Sequence, residues 1–433
     1  MSLMQLINAI AICFLLSGAA TATDIYKEAT QYPTRPVDAA YFGVHMHRII
    51  VLPHERAIPT AWPTAAFGSL RLWDTVTRWG NIAPKAGVWE FDRMDTFVNT
   101  GLQNNAEILY TLGSTPQWAS ARPQEKCPYG FGCGAEPVRL AHWEEYVRRV
   151  VQRYGNRIAA YELWNEPKFS DFSRDVGKQG FFTGSVKDMV DMAAAARKII
   201  NESAPGTKLC TPGFVNGPDR LERFLAEGGA KHVQAICYHF YAEGSEHFIN
   251  QVREVRAIMA RQQVENLPLW NTETGVDTLL PTDPPSGIAE RTREAAVDRL
   301  LQLLILGAAT GMERFYYYAW DNSRSGMVSA FGQPLDGLDK LKRVQNWMLN
   351  STFSGCTSYS DVISCIANNK GDKYMYVWAT KPTITSLKIP QGFKIAAFDK
   401  MSNVDGRWNL KSIGNGSPLP LDSTPIRISL SLK

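Results

Sequence analysis

The sequence has few of the features that mark nucleic-acid-binding or membrane-spanning proteins. Lysine and arginine total 46 against 42 aspartate and glutamate, and no basic run is longer than a pair such as Arg148-Arg149. A nucleic-acid-binding domain carries a clustered basic face, so we expect no nucleic-acid partner. No apolar run approaches the roughly 20 residues that a membrane helix needs. We therefore expect no membrane span.

An apolar segment near the N-terminus, Ile7 to Leu16, is followed by the small residues Ala20-Thr21-Ala22. An apolar core ahead of a small-x-small site is typical of a signal peptide. We predict that residues 1–22 are removed and that the protein is secreted or periplasmic.

Cysteine is sparse, and its number fits an exported protein. There are seven cysteines, and removal of the signal segment would take away Cys13. The remaining even number permits three disulfides in an oxidising compartment, and their spacing does not match a zinc site. Cys210 and Cys237 lie in two apolar segments and are equally well interpreted as buried thiols. The candidate local pairs are Cys127–Cys133 and Cys356–Cys365.

Short apolar strands alternate with longer helical patterns from about residue 40 to 350. The candidate strands are Tyr41–Val44, Ser69–Trp73, Glu107–Thr111, Ala159–Leu163, Leu209–Thr211, Ala235–Tyr238, Leu269–Asn271 and Arg314–Tyr318. The clearest helical patterns are Arg139–Tyr154, Ser185–Asn201 and Ala289–Gly307. Eight such units predict an α/β fold, a (β/α)8 TIM barrel. A doubly wound open sheet is the alternative, but no glycine-rich phosphate turn follows the first strand.

The tail of the chain has a different pattern. It contains short alternating runs such as Tyr374–Ala379, Thr383–Ile389, Lys394–Phe398 and Ile426–Leu430, separated by proline, glycine and asparagine. This pattern predicts a small C-terminal β-sandwich. We expect a signal peptide at 1–22, a catalytic barrel at 23–353 and an accessory β-sandwich at 354–433, in a monomer.

Two glutamates follow predicted strands four and seven. Glu166 stands in Trp164-Asn165-Glu166-Pro167, and Glu273 stands in Trp270-Asn271-Thr272-Glu273-Thr274-Gly275. Barrel enzymes place their chemistry at the C-terminal ends of strands, so the two carboxylates should face each other. Hydrolysis of a glycoside needs such a pair, one to protonate the leaving oxygen and one to attack the anomeric carbon. We predict that Glu166 is the general acid/base, with a raised pKa, and that Glu273 is the nucleophile.

Other strand ends supply supporting side chains. Asn165 is predicted to hydrogen-bond the sugar 2-hydroxyl, and Arg71 and Tyr241 to hydrogen-bond the nucleophile. Trp320 is predicted to form a stacking floor for the sugar. The further predicted substrate-binding residues are His45, His239 and Trp118.

Each of these residues has a structural alternative. Asn-Glu-Pro also fits a helix start, with Asn as the cap and Pro in the first turn. Arg71 would also fit an ion pair at the barrel rim, and Trp118 a loop anchor. His45 and His47 with His239 would fit a metal-dependent barrel hydrolase. A carboxylate pair needs no metal or cofactor, so we expect none. A non-catalytic carbohydrate-binding matrix protein on a barrel scaffold remains the alternative function.

These motifs resemble those of the clan A glycoside hydrolases, and most of all glycoside hydrolase family 39 and its exported bacterial endoglycosidases that cut exopolysaccharide. The resemblance covers roughly residues 40 to 350 and rests on five segments: Trp164-Asn165-Glu166-Pro167, His239-Phe240-Tyr241, Thr272-Glu273-Thr274-Gly275, Tyr41-Phe42-Gly43-Val44-His45 and Arg71-Leu72-Trp73-Asp74. It implies a retaining β-glycoside hydrolase in which Glu166 is acid/base, Glu273 is nucleophile, Asn165 contacts the 2-hydroxyl and Tyr241 partners the nucleophile. Xylose, glucose, mannose and iduronic acid units all suit such a barrel.

Overall fold

Eight parallel strands form a closed barrel in the computed structural model, which describes residues 24–51, 57–276, 293–399 and 418–433. The strands are β1 Phe42–Val44, β2 Ser69–Leu72, β3 Glu107–Thr111, β4 Ala160–Glu162, β5 in two parts at Lys208–Cys210 and Phe214–Val215, β6 Ile236–His239, β7 Leu269–Thr274 and β8 Arg314–Tyr317. The first part of β5 pairs with β4 and the second with β6, and β8 pairs with β1. The predicted barrel is confirmed, and every predicted strand overlaps an observed one.

Helices between the strands cover the outside of the barrel. Those described are α1 Ile25–Ala29, α2 Trp79–Ile82, α3 Asp92–Gln103, α4 Leu140–Tyr154, α5 Val186–Ser203, α6 Pro218–Ala226, α7 Ser245–Arg261, α8 Arg293–Ala309 and α9 Leu338–Met348. Short 3-10 turns lie at Ala39–Tyr41, Gln117–Ala119, Gly155–Arg157 and Gly229–Lys231. The predicted helices correspond to α4, α5 and α8. Helix α5 begins with a reciprocal cap between Ser185 and Asp188, which satisfies donors that the first helical turn leaves free.

Helix α8 differs from the other helices because nearly its whole circumference is buried. An apolar stripe on one face is enough for a helix that covers a barrel. Here the opposite face packs against the C-terminal sheet. Gln302 links the two parts, because it accepts a hydrogen bond from Ser245 and donates one to the carbonyl of Ser423.

The C-terminal region is a two-layer β structure. A five-stranded antiparallel sheet contains β9 Thr352–Tyr359, β10 Val362–Asn369, β11 Asp372–Ala379, β13 Phe393–Asp399 and β15 Ile426–Leu432, and a two-stranded sheet contains β12 Thr383–Ser386 and β14 Pro418–Leu421. Met375, Val377 and Leu419 belong to the apolar cluster of this β region. Tyr376 and Trp378 alternate with the first two along β11 and join the barrel core. The predicted C-terminal β-sandwich is confirmed.

All six cysteines of the described residues form disulfides. Cys127–Cys133 and Cys356–Cys365 are bonded as the local pairs. Cys210 and Cys237 are also bonded, so the interpretation of these two residues as buried thiols is wrong. They lie on the neighbouring strands β5 and β6, which bring their Cα atoms to 5.9 Å inside the barrel.

The predicted signal peptide, residues 1–22, lies outside the described residues. Within the described part of the chain, no helix combines the length and the apolar character needed to cross a bilayer.

Candidate active site

Glu166 stands on an irregular turn directly after β4, not at a helix start. The next helix after it is α5, so the interpretation of Asn-Glu-Pro as a helix cap is wrong. Asn165 forms a parallel bridge with Gly213, and the Glu166 amide donates to the Gly213 carbonyl at 2.9 Å. Glu166 has a φ of +43°, a left-handed conformation that costs free energy in a residue with a side chain and that often occurs at functional sites. This turn directs the side chain into the mouth of the barrel.

Arg71 is the centre of the charge network. Its side chain is fully buried on β2. It donates from Nη1 to Glu273 Oε2 at 2.8 Å, from Nε to Glu162 Oε2 at 2.8 Å, and from Nη2 to Asn165 Oδ1 at 2.7 Å. Burial lowers the pKa of Arg71, but the carboxylates of Glu162 and Glu273 outweigh burial and raise it. Arg71 is therefore a permanent cation that orients both carboxylates.

Glu273 lies at the end of β7 with only 9% of its side chain exposed. Its Oε1 accepts a hydrogen bond from the Tyr241 hydroxyl at 2.7 Å. Burial raises the pKa of the Glu273 carboxyl, and the Glu166 carboxyl raises it further, whereas His239, Arg71 and the Tyr241 hydrogen bond lower it. The sequence-based expectation that Arg71 and Tyr241 contact Glu273 agrees with this geometry.

Glu166 and Glu273 face each other across the mouth. One carboxylate oxygen of each, together with a ring nitrogen of His239, lies within 4.8 Å of the others. His239 Nδ1 is 2.9 Å from Glu166 Oε1. The Glu166 side chain is 21% exposed, so a ligand can reach it. Two carboxyl groups this close can both contact one bound ligand.

The rim beside Glu273 carries a polar cluster that the sequence did not single out. Asp74 accepts hydrogen bonds from Tyr129 at 2.6 Å and from Tyr318 at 2.7 Å. Tyr129 lies in the loop closed by Cys127–Cys133, and the Arg78 guanidinium stacks 3.5 Å above its ring. This cluster combines a carboxylate with aromatic hydroxyls, which are groups that hydrogen-bond sugar hydroxyls.

Three of the predicted substrate-binding residues make contacts within the protein. Trp320 is 2% exposed and packs against Phe67 in the core, so its faces are not open to a sugar. Trp118 donates to the Ala83 carbonyl at 2.8 Å. This contact fits the alternative interpretation of Trp118 as a residue that anchors a loop. His45 is buried, with Nε2 3.1 Å from the Thr272 carbonyl, and burial lowers its pKa well below the usual range.

The described residues place potential metal ligands together in two groups. They are Glu162, Cys210 and Cys237, and Glu166, His239 and Glu273. In the first group the disulfide occupies both sulfurs. In the second, Arg71 donates to Glu273, and its charge would repel a cation. His45 and His47 belong to neither group, so the three-histidine site of the metal-dependent alternative is not assembled.

Glu162 is a residue of this charge network that the sequence analysis does not predict. It lies within β4 and is fully buried, and it contacts Arg71 and Thr111. Its only sequence signal is a charged residue inside the apolar run Ala160-Tyr161-Glu162-Leu163. A carboxylate on such a strand can face the barrel interior only if a buried cation balances its negative charge. Arg71 on β2 is that cation.

Replacing Tyr241 by phenylalanine tests the hydroxyl that contacts Glu273. If the protein hydrolyses glycosides, as its motifs predict, kcat/KM should fall about 10- to 100-fold, because a hydrogen bond to a charged group contributes roughly 1.5–3 kcal/mol. The acidic limb of the pH profile should move to higher pH, because this bond lowers the pKa of Glu273.

Tyr161→Phe is the matched control for Tyr241→Phe. Tyr161 is a buried tyrosine on β4 whose hydroxyl has no hydrogen-bond partner among the described residues. If both variants lose the same activity, or if the acidic limb stays in place in Tyr241→Phe, the assigned contact has no kinetic role.

No protein-family model matches the sequence. A β-xylosidase of Geobacillus stearothermophilus is 24% identical over 213 residues, which cover 43% of this chain and 40% of that enzyme. The alignment therefore spans less than half the length of this relative.

Several solved structures share the fold over nearly the whole chain. A family 39 glycoside hydrolase of Bacteroides cellulosilyticus WH2 superposes with a TM-score of 0.65 at 16% identity and covers 93% of this chain and 82% of that one. A family 39 enzyme of Xanthomonas axonopodis pv. citri gives 0.57 at 14%, covering 93% and 96%. A family 30 subfamily 8 xylanase of Clostridium acetobutylicum gives 0.57 at 12%, covering 93% and 97%. The barrel with an appended β region is thus a fold that glycoside hydrolases of these families share.

Proposed function

We propose that the protein is a retaining β-glycoside hydrolase that cleaves a polysaccharide or oligosaccharide by double displacement. Glu273 attacks the anomeric carbon while Glu166 donates a proton to the leaving oxygen. Glu166 then takes a proton from a water molecule whose oxygen attacks the anomeric carbon. The bond from that carbon to Glu273 breaks, and the sugar is released with its original anomeric configuration. Neither step needs a metal ion or an organic cofactor.

The separation of the two carboxylates is the observation that carries this proposal. Retaining glycosidases hold their carboxyl groups about 5–5.5 Å apart, and inverting enzymes about 6.5–9.5 Å apart. Oxygens of Glu166 and Glu273 lie within 4.8 Å. This distance favours direct attack by Glu273 over attack by a water molecule that Glu273 activates.

The surroundings of each carboxylate fit its proposed role. Arg71 and Tyr241 both donate to Glu273, and donors of this kind stabilise a carboxylate as the charged nucleophile. Asn165 is fixed by Arg71 next to Glu166, where its amide can donate to the 2-hydroxyl of the sugar.

A carbohydrate-binding matrix protein on the same scaffold would explain the Asp74 rim cluster. It would not explain two carboxylates held within 4.8 Å, because their mutual repulsion and burial are a cost that binding does not require. We therefore favour the enzyme.

The pairing of the described cysteines supports export of the protein. All three pairs are disulfides, which persist in oxidising compartments. We propose that the enzyme acts outside the cytoplasm on an extracellular glycan.

The test is hydrolysis of a panel of β-linked polysaccharides and aryl β-glycosides in the presence of a chelator. Product sizing reports the substrate and the cutting mode together. Proton NMR of the first-formed sugar reports its configuration, and we expect the β-anomer first. First appearance of the α-anomer would rule out retention. Activity lost to the chelator would favour the metal-dependent alternative.

A further inference from the structure

The barrel contains a third carboxylate that the two steps proposed above do not use. Glu162 lies on β4, directly below the mouth, and has no exposed side-chain surface. Its Oε2 accepts hydrogen bonds from Arg71 Nε at 2.8 Å and from Thr111 Oγ1 at 2.6 Å. Burial of an unpaired carboxylate is strongly unfavourable, so the fold pairs Glu162 with the same cation that holds Glu273.

The other oxygen of Glu162 faces His239. Glu162 Oε1 accepts no hydrogen bond from the described residues and lies 4.0 Å from His239 Nε2. Gly213 packs over both atoms, because a Cβ there would lie 2.3 Å from His239 Nε2 and 2.8 Å from Glu162 Oε1. A side chain at this position would separate the pair. Only glycine therefore allows this contact.

Two side chains connect Glu162 to the pair Glu166 and Glu273. Arg71 donates both to Glu162 and to Glu273, and His239 lies between Glu162 Oε1 and Glu166 Oε1. Arg71 has one positive charge, and the two carboxylates share it. The charge on Glu162 thus decides how much of that positive charge acts on Glu273.

We propose that Glu162 is a positioning residue that holds Arg71 and thereby sets how strongly Arg71 stabilises the charge on Glu273. Its catalytic meaning rests on the proposed glycosidase function. While Glu162 carries its charge, Arg71 is shared between two carboxylates and stabilises ionised Glu273 less strongly. Glu273 therefore keeps its proton to a higher pH than it would beside a neutral residue.

No other described group takes over this role. The groups facing Glu162 from the neighbouring strands are Arg71, Thr111, His239, Tyr316 and the Cys210–Cys237 disulfide. Those acting on Glu273 are Arg71, His239, Glu166, Tyr241, Tyr129 and Tyr318. The tyrosines stay neutral because burial raises the pKa of each, as for Tyr316, whose pKa is about 12.

Glu162→Gln tests the proposal, because it removes the charge and keeps an oxygen that accepts from Arg71 and Thr111. We expect the acidic limb of the kcat/KM profile, which reports the ionisation of Glu273, to move to lower pH by about one to two units, the size expected for unit charges ~6 Å apart at an effective dielectric constant of about 20. A purely structural role would lower activity at every pH and leave the limbs in place.

Asp298→Asn is the matched control for Glu162→Gln. Asp298 is another buried carboxylate but lies on α8, where it contacts Lys340 and Thr424. Its neutralisation should leave both limbs unmoved. If Glu162→Gln does not fold, Glu162→Met removes the same charge with an unbranched side chain of similar length and carries the same expectation.

A second measurement does not depend on turnover. In protein that carries ¹³C-labelled glutamate, the Glu273 carboxyl is identified as the signal that Glu273→Gln removes. We expect this signal to titrate at lower pH in Glu162→Gln than in the parent. An unmoved acidic limb in an active enzyme, or an unchanged Glu273 titration, would overturn the proposal and leave the glycosidase assignment intact. If no glycoside is hydrolysed, the glycosidase assignment fails and the Glu273 signal alone decides the role of Glu162.

Discussion

Glu273→Gln is expected to lose glycoside hydrolysis by about 10⁴-fold or more, on substrates with good and poor leaving groups alike. An amide oxygen does not form the glycosyl ester that double displacement requires. The leaving group does not compensate, because in either case no nucleophile reaches the anomeric carbon. The measurement is kcat/KM on an activated aryl glycoside and on the natural polysaccharide once the panel has identified it.

A smaller side chain distinguishes loss of the nucleophile from damage to the site. In Glu273→Gly, added azide fits the vacated space and attacks the anomeric carbon from the same face as the carboxylate would. We expect an α-glycosyl azide, the product of a single inversion. Full activity of Glu273→Gln, or a glycosyl azide of retained configuration from Glu273→Gly, would exclude Glu273 as the nucleophile.

Glu273→Gln should not reduce activity through unfolding. Burial raises the pKa of Glu273 in the folded protein, so between its ordinary value and the raised one the folded state binds more protons than the unfolded state. Stability contributed by this group is therefore present at low pH and is lost as pH rises through that window. At neutral pH the variant should melt at an equal or higher temperature than the parent, and the difference should vanish below about pH 4. Calorimetric melting of both proteins at the two pH values measures this.

The barrel could be predicted because each of its strands is a short apolar run followed by a helical pattern. Parallel strands covered on both sides read as continuous apolar segments, and Glu107–Thr111 is predicted with the bounds that the structure has. The first two tail strands, β9 and β10, were not predicted. In β9 a register shift between Phe353 and Gly355 interrupts the period. In β10 the apolar residues Val362 and Ile366 lie on the face opposite the buried positions, so the apolar/polar alternation that marks a strand is weak.

The meeting of Glu166 and Glu273 could be predicted because the C-terminal ends of all barrel strands lie on the same face of the barrel. Glu166 and Glu273 follow strands whose C-terminal ends meet at the same mouth. The rim residue Tyr129 could not be placed, because the path of the loop that carries it is fixed by a disulfide and by its contact with Asp74. Trp320 was misplaced for a related reason. Its position after β8 indicates closeness to the mouth but not the direction in which the ring points.

The Cys210–Cys237 disulfide could have been inferred from the sequence. The two cysteines were placed on consecutive strands, and consecutive strands of a barrel are neighbours. Residues on neighbouring strands that both point inward lie within disulfide distance when their registers match. The Cα separation of 5.9 Å meets that condition. The predicted barrel is therefore sufficient to propose that these two cysteines are bonded.

Glu166→Ala should give a different loss, one that depends on the leaving group. A poor leaving group needs the proton of Glu166, so its hydrolysis should fall about 10²- to 10⁴-fold, the usual size of general acid–base catalysis. A dinitrophenyl group departs without that proton, so Glu273 should still be glycosylated. Hydrolysis of the glycosyl enzyme is then slow, because no base activates water. An initial burst of dinitrophenol should therefore precede a slow steady state.

Azide separates the two roles of Glu166. It attacks the glycosyl enzyme without a base, so it should accelerate turnover of the dinitrophenyl substrate by Glu166→Ala and give a β-glycosyl azide, the product of two inversions. Glu243→Ala, which truncates an exposed glutamate after β6, is the control and should behave as the parent. An equal loss for good and poor leaving groups would mean that Glu166 does not donate the proton. An α-azide would mean that Glu273 was never glycosylated. With the α-azide expected from Glu273→Gly, the two azide products assign the two carboxylates by opposite configurations at one carbon.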